Sequence, residues 1–247
     1  KASQLEASQP ETDQQQALFD YLLRLGDSPL ILGQRLSEWC GHGPALEEEI
    51  ALMNIGLDLI GQSRNWLELA IAVAKTSNQV KVAGINRTAT LQDADQLAFT
   101  RDAHQYCNLL IVEQHNGNFA DTMARQYFFD AWHLFTLEAL CQSSNSGISE
   151  VAGKAVKEAR YHLRRSREWI IRLGDGTALS QQRMQQAIDD IWMFTGELFE
   201  SGPSEQQLLS DGIAADQTVV KHRWQQEVQN TLETATLEHP DPEAFMQ

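Results

Sequence analysis

The sequence predicts an all-α chain of long antiparallel helices packed as one domain. Three observations carry this. Proline is rare, six in 247 residues. Apolar residues recur at steps of three and four over long segments. The breaks between those segments are short and rich in glycine or serine, as in Gly41-His42-Gly43-Pro44 and Ser143-Ser144-Asn145-Ser146-Gly147.

Residues 1–12 are polar and proline-punctuated, and read as a disordered tail ahead of a helical domain spanning 13–236. A first helix runs from about Gln14 to Cys40, with a kink or restart at Ser28-Pro29, where Ser suits an N-cap and Pro a first helical position. The second starts at Pro44. Glu47, Glu48 and Glu49 stand in its first turn, where the helix dipole favours anions. Its apolar stripe, Leu46, Ile50, Met53, Leu57, Ile60, Leu67, Ile71 and Ala74, predicts a core face interrupted by Arg64. Period is lost over 76–90, read as a mobile loop.

A third helix is expected from Leu91 to Glu113. A fourth, from Asn118 to Gln142, is apolar almost all round (Tyr127, Phe128, Phe129, Trp132, Phe135) and therefore central. A basic helix follows from Ser149 to Leu173, then one from Ser180 to Phe199, a short turn or helix, and a last helix near Gln217–Thr236. Residues 237–247 read as an irregular tail.

Charge and composition exclude several classes. The formal net charge is −15, which opposes binding to nucleic acid or an anionic membrane surface. No apolar run reaches the roughly 18 residues of a membrane span. The first residues have neither the apolar core of a signal peptide nor the character of a transit peptide. Cys40, Cys107 and Cys141 are odd in number and widely spaced. They predict small buried hydrophobes in a reducing cytoplasm rather than disulfides or a metal knuckle.

The chemistry the pattern suggests is that of a depleted metal site. A di-iron bundle takes one carboxylate from each of two helices and a Glu-x-x-His pair from each of the other two. Asp58-x-x-Gly61 and Glu158-x-x-Tyr161 have that carboxylate spacing without the histidine. Asp130-x-x-His133 keeps both groups, and Glu158 and His162 are i,i+4 neighbours. Two readings stand side by side. In the favoured one no metal is held, and Asp58, Asp130 and Glu158 meet basic or hydrogen-bonding groups, with Arg64, Arg125 and Arg160 as candidate partners. In the other, Asp58, Asp130, His133, Glu158 and His162 form an altered ligand set. No glycine-rich phosphate loop or nucleophile elbow is present.

Seven of the nineteen Lys and Arg residues fall between Lys154 and Arg172. Lys154, Lys157, Arg160, Arg164 and Arg165 read either as a solvated face laced by i,i+4 pairs or as a strip for an acidic partner or a phosphate-bearing ligand.

The runs LFDYLLRLGDSPLILGQRLSEWCGHGPALEEEIALMNIGLDLIGQSRNWL, RDAHQYCNLLIVEQHNGNFADTMARQYFFDAWHLF and KEARYHLRRSREWIIRLGDGT resemble the C-subunit family of bacterial phenylacetyl-CoA 1,2-epoxidases, over about residues 18 to 235. That resemblance implies a ferritin-like four-helix bundle with additional helices. It also implies a subunit without working iron in a hetero-oligomer, beside a catalytic di-iron A subunit and, indirectly, a flavin/iron–sulfur reductase. Self-association is a further expectation. The implied role is structural support for O2-dependent ring epoxidation in phenylacetate breakdown. The alternative is a ferritin-like metalloenzyme with its own ligand set.

Overall fold

A computed structural model describes residues 9–76, 80 and 92–241. Every regular element among them is helical, and the architecture is a ferritin-like all-α bundle. Four long helices form the frame: α1 (Gln9–Ser37), α2 (Leu46–Thr76), α5 (Phe119–Leu140) and α6 (Ser146–Gly174). The connections 38–45 and 141–145 are too short for anything but reversal, so α1 packs antiparallel along α2 and α5 along α6. Two short helices, α3 (Ala94–Phe99) and α4 (Leu110–Glu113), lie between the pairs. After α6 come α7 (Ala178–Trp192), α8 (Pro203–Ser210) and α9 (Gln217–Thr234); α7 and α9 cover α5.

The first helix begins at Gln9, so residues 9–12 are helical and not part of a tail; residues 1–8 lie outside the described ones. It neither ends nor restarts at Ser28-Pro29, because both sit inside one continuous helix. Ser28 Oγ there accepts the Leu109 amide at 3.1 Å, which ties the connecting segment to α1.

The α2 stripe is the main correction. Leu67 and Ile71 are buried, but Leu46, Ile50, Leu57 and Ile60 are exposed. The buried face is Leu52, Ile55, Leu59, Gln62, Ser63, Trp66 and Ala70. This helix is apolar on two faces, and a period of 3.6 cannot say which one meets the core. Glycines mark where α1 crosses α2. A Cβ at Gly33 would lie 3.0 Å from the Gly56 carbonyl oxygen, and one at Gly56 3.2 Å from that of Gly33.

The predicted 91–113 helix is broken into α3, a 3-10 turn at Ala103–Gln105 and α4. Arg101 holds the broken segment together. Its guanidinium turns inward to Asp27, while its Nε donates to the Leu97 carbonyl at 2.6 Å and Nη1 to that of Gln105 at 3.2 Å. Residues 77–79 and 81–91, which include most of the expected mobile loop, lie outside the described residues.

Helix α5 is buried along almost its whole length, as its composition requires. Phe128 packs against Trp192 and Trp224 with ring centroids 5.6 and 5.5 Å away, so these tryptophans anchor α7 and α9 to α5. The 237–241 stretch is non-helical but strapped down. Gln185 holds the Glu238 backbone on both sides, and Trp192 Nε1 donates to the Asp241 carbonyl at 3.0 Å. Residues 242–247 lie outside the described ones. The cysteines are not buried hydrophobes: Cys40 and Cys107 are exposed and Cys141 half-buried, because Cys40 sits in a turn, Cys107 in the irregular stretch before α4 and Cys141 at the C-cap of α5. Among the described residues no helix is long and apolar enough to cross a membrane.

Candidate functional site

Where α2, α5 and α6 meet, a polar cluster replaces apolar packing. Helix α2 brings Asp58 and Gln62, α5 brings Gln126, Asp130 and His133, and α6 brings Glu158, His162 and Ser166. The spacing is four residues on both α2 and α6, so α2 aims two polar groups and α6 three at one seam. His162 Nε2 lies 3.0 Å from Asp58 Oδ2. Gln62 Nε2 donates to Glu158 Oε2 at 2.9 Å, and Gln62 Oε1 lies 2.7 Å from His133 Nε2. Asp130 accepts from Gln126 Nε2 at 2.7 Å and from Ser166 Oγ at 2.8 Å.

An amide oxygen only accepts, so His133 meets Gln62 as a neutral Nε2–H donor. Its surroundings enforce that form. Burial, and next the nearby His162, push the His133 ring down to about 3. Burial pushes the Asp130 carboxyl up to about 6, against the pull of His162, Ser166 and Gln126. His133 also stacks on Phe129, with ring centroids 5.1 Å apart.

The donors present do not fit a di-iron centre. Gln62 occupies the line between Glu158 and His133, and Asp130 is engaged by two hydrogen-bond donors. Among the described residues, no group of three or more His, Cys, Asp or Glu side chains is arranged to hold a metal ion. Gly61 and Tyr161, read as the vacated histidine positions, face outward and are exposed. A step of three turns away from the seam on these helices, and a step of four returns to it.

The chain matches a known family over essentially its full length. The model of the phenylacetic acid catabolic proteins matches residues 3–247. The chain belongs to the phenylacetic acid catabolic protein family. It is 49% identical over 225 residues to the C subunit of the 1,2-phenylacetyl-CoA epoxidase of Escherichia coli (strain K12), covering 91% of this chain and 85% of that protein.

In this family member the expected buried ion pairs are mostly something else. Arg64 is exposed and pairs with Glu68 on its own helix at 2.9 Å. Arg160 binds Glu138 at 2.8 Å. Arg125 is fully buried but donates to the Gln114 carbonyl and the Asn116 side chain, and burial lowers it to about 10. Among the described residues no arginine bonds Asp130, and Glu158 meets a neutral amide. Asp27 and Arg101 form a fully buried ion pair, and it was not read from the sequence.

The basic strip also changes. Lys154, Lys157, Arg160 and Arg164 are exposed, but Arg165 turns inward to Glu48, whose Oε2 also accepts from Trp169 Nε1 at 2.9 Å. Gln62 and Ser166 were missed as site residues. Their signal was present: each lies four residues after a named polar group, Asp58 and His162. Beside the cluster opens a surface cleft of about 460 Å³ lined by Leu57, Asp58, Gly61, Gln62, Lys154 and Glu158, among others.

Proposed function

We propose that this chain is a non-catalytic structural subunit of a phenylacetyl-CoA 1,2-epoxidase, working in the cytoplasm beside a catalytic subunit that carries the di-iron centre. The observation that carries this reading is Gln62, which joins Glu158 to His133 and fills the place where ligands of a carboxylate-bridged metal pair would converge. Hydrogen bonds among Asp58, Gln62, Asp130, His133, Glu158, His162 and Ser166 tie α2, α5 and α6 together across the seam without an ion. The relative's designation as one lettered subunit supports an assembly of several chains.

In this role the residues orient helices, and the oxygen chemistry belongs to the partner. The chain takes no cofactor of its own and makes no contact with nucleic acid or membrane. Reconstitution tests this. The catalytic subunit and its reductase, assayed for phenylacetyl-CoA epoxidation with and without this chain, should turn over only with it. Activity should persist when His133→Gln or Glu158→Gln is used, provided the variant folds. Loss of turnover in a folded, fully assembled variant would overturn the non-catalytic reading.

A further inference from the structure

Asn116-Gly117 is the single Asn-Gly step in the 247 residues, in the irregular stretch between α4 and α5. Such a step is chemically labile. The backbone nitrogen after an asparagine can attack the side-chain carbonyl carbon, and glycine hinders that attack least because it has no Cβ.

The fold nonetheless calls for both residues. Gly117 has a φ of 56°, and a Cβ there would lie 2.2 Å from Asp121 Oδ2. That oxygen accepts the Asn118 amide at 2.7 Å in the cap of α5. Asn116 is fixed by its bonds. Its Nδ2 donates to the Arg35 carbonyl at 2.8 Å and to Glu38 Oε2 at 3.1 Å. Its Oδ1 accepts from Arg125 Nη2 at 2.7 Å, and this buried guanidinium bonds no carboxylate among the described residues. An amide serves here because one short side chain both donates and accepts.

The two reacting groups are therefore held differently. Gly117 is exposed, and its N–H meets no acceptor among the described residues. The Asn116 amide is gripped at both ends, by α1 and the turn after it on one side and by α5 on the other.

We propose that Asn116 is a site of spontaneous deamidation, gated by opening of the clamp that Arg35, Glu38 and Arg125 form around its amide. In the open state hydroxide takes the Gly117 N–H proton and the bond from Gly117 N to Asn116 Cγ forms. The Cγ–Nδ2 bond breaks, and ammonia leaves with a proton from water. Water then opens the five-membered imide at either carbonyl. One product is aspartate in an unchanged backbone, the other isoaspartate with the backbone routed through the side chain. Water is the co-reactant, and nothing is oxidised or reduced.

The product does not rebuild the clamp. A carboxylate has no proton to give the Arg35 carbonyl, and it stands where the amide nitrogen lies 3.1 Å from Glu38 Oε2, so like charges repel. Its gain is one charged bond to Arg125. Two bonds go and one strengthens, so deamidation loosens the tie between the end of α1 and α5.

Peptide mapping by mass spectrometry, which separates asparagine, aspartate and isoaspartate, tests this on the full chain incubated at neutral and mildly alkaline pH. Asn116 should convert in the folded chain, faster as pH rises, but about tenfold or more slower than in the same chain unfolded in urea, because the clamp must first open. Glu38→Ala should speed conversion several-fold, with Glu38→Gln as the second variant where the first changes the melting temperature. Asn116→Asp should lower the melting temperature. An Asn116 that stays intact in the folded chain while the unfolded chain converts fully would overturn the site. A folded rate that equals the unfolded one, or that both Glu38 variants leave unchanged, would overturn the gate. An unchanged melting temperature in Asn116→Asp would overturn the loosening.

Discussion

Gln62 and His133 meet at 2.7 Å across the α2–α5 contact, and the other end of the same amide donates to Glu158 at 2.9 Å. One neutral side chain thus satisfies a buried imidazole and a carboxylate together. Gln62→Leu keeps most of the volume and removes both bonds. It should lower unfolding free energy by about 1–3 kcal/mol, the cost of leaving buried polar groups without partners. Urea denaturation measures it, and an unchanged midpoint would mean that water takes over both bonds.

Asp130 and His133 oppose each other in pH. Asp130 is raised from 3.8 to about 6, so between those values the folded chain holds a proton the unfolded chain has released, and stability rises as pH falls. His133 is lowered from 6.5 to about 3, so over that range the unfolded chain takes up a proton the folded chain refuses, and stability falls as pH falls. The two contributions nearly cancel between pH 6 and 4. Asp130→Asn removes only the first. Its stability should drop relative to wild type by about 3 kcal/mol on going from pH 7 to 4. Parallel pH profiles would refute this.

Asp27 and Arg101 form a buried ion pair, and Asp27 Oδ2 also accepts the Cys107 amide at 2.8 Å. Asp27→Asn should cost about 3–5 kcal/mol, because it leaves a buried guanidinium uncompensated. The double variant Asp27→Leu with Arg101→Met should lose less than either single change. A thermal double-mutant cycle checks it, and additive losses would show the two groups to be uncoupled.

The Gly33–Gly56 crossing sets how closely α1 approaches α2. Gly56→Val should destabilise by about 1–3 kcal/mol through overpacking against the Gly33 carbonyl. Melting temperature reads it directly, and a stabilised variant would show that the helices separate freely.

The long helices were legible because length, period and caps agree: Asn118 caps α5 and Asn145 caps α6, each followed by a long apolar pattern. The near-total burial of α5 followed from its composition alone. What was not legible was direction. In α2 the exposed edge of Leu46, Ile50 and Leu57 looks in sequence like a core face, because burial depends on where α1, α5 and α6 sit. The site showed the same limit. Asp58, Asp130, His133, Glu158 and His162 were all visible as candidates, but the amide that joins two of them was not, since a glutamine carries no motif. Arg101 looked like one polar residue in a helix, and its partner Asp27, 74 positions earlier, carries no local signal of the pairing.

The central claim is that the polar cluster holds helices together and does not hold iron. Metal analysis of the purified chain, alone and in complex with the catalytic subunit, tests it most directly when His133→Ala is run alongside. The account predicts substoichiometric iron and manganese in this chain, unchanged in the variant, with the iron of the complex in the catalytic subunit. Tightly bound, stoichiometric metal in the isolated chain that disappears with His133→Ala would contradict it.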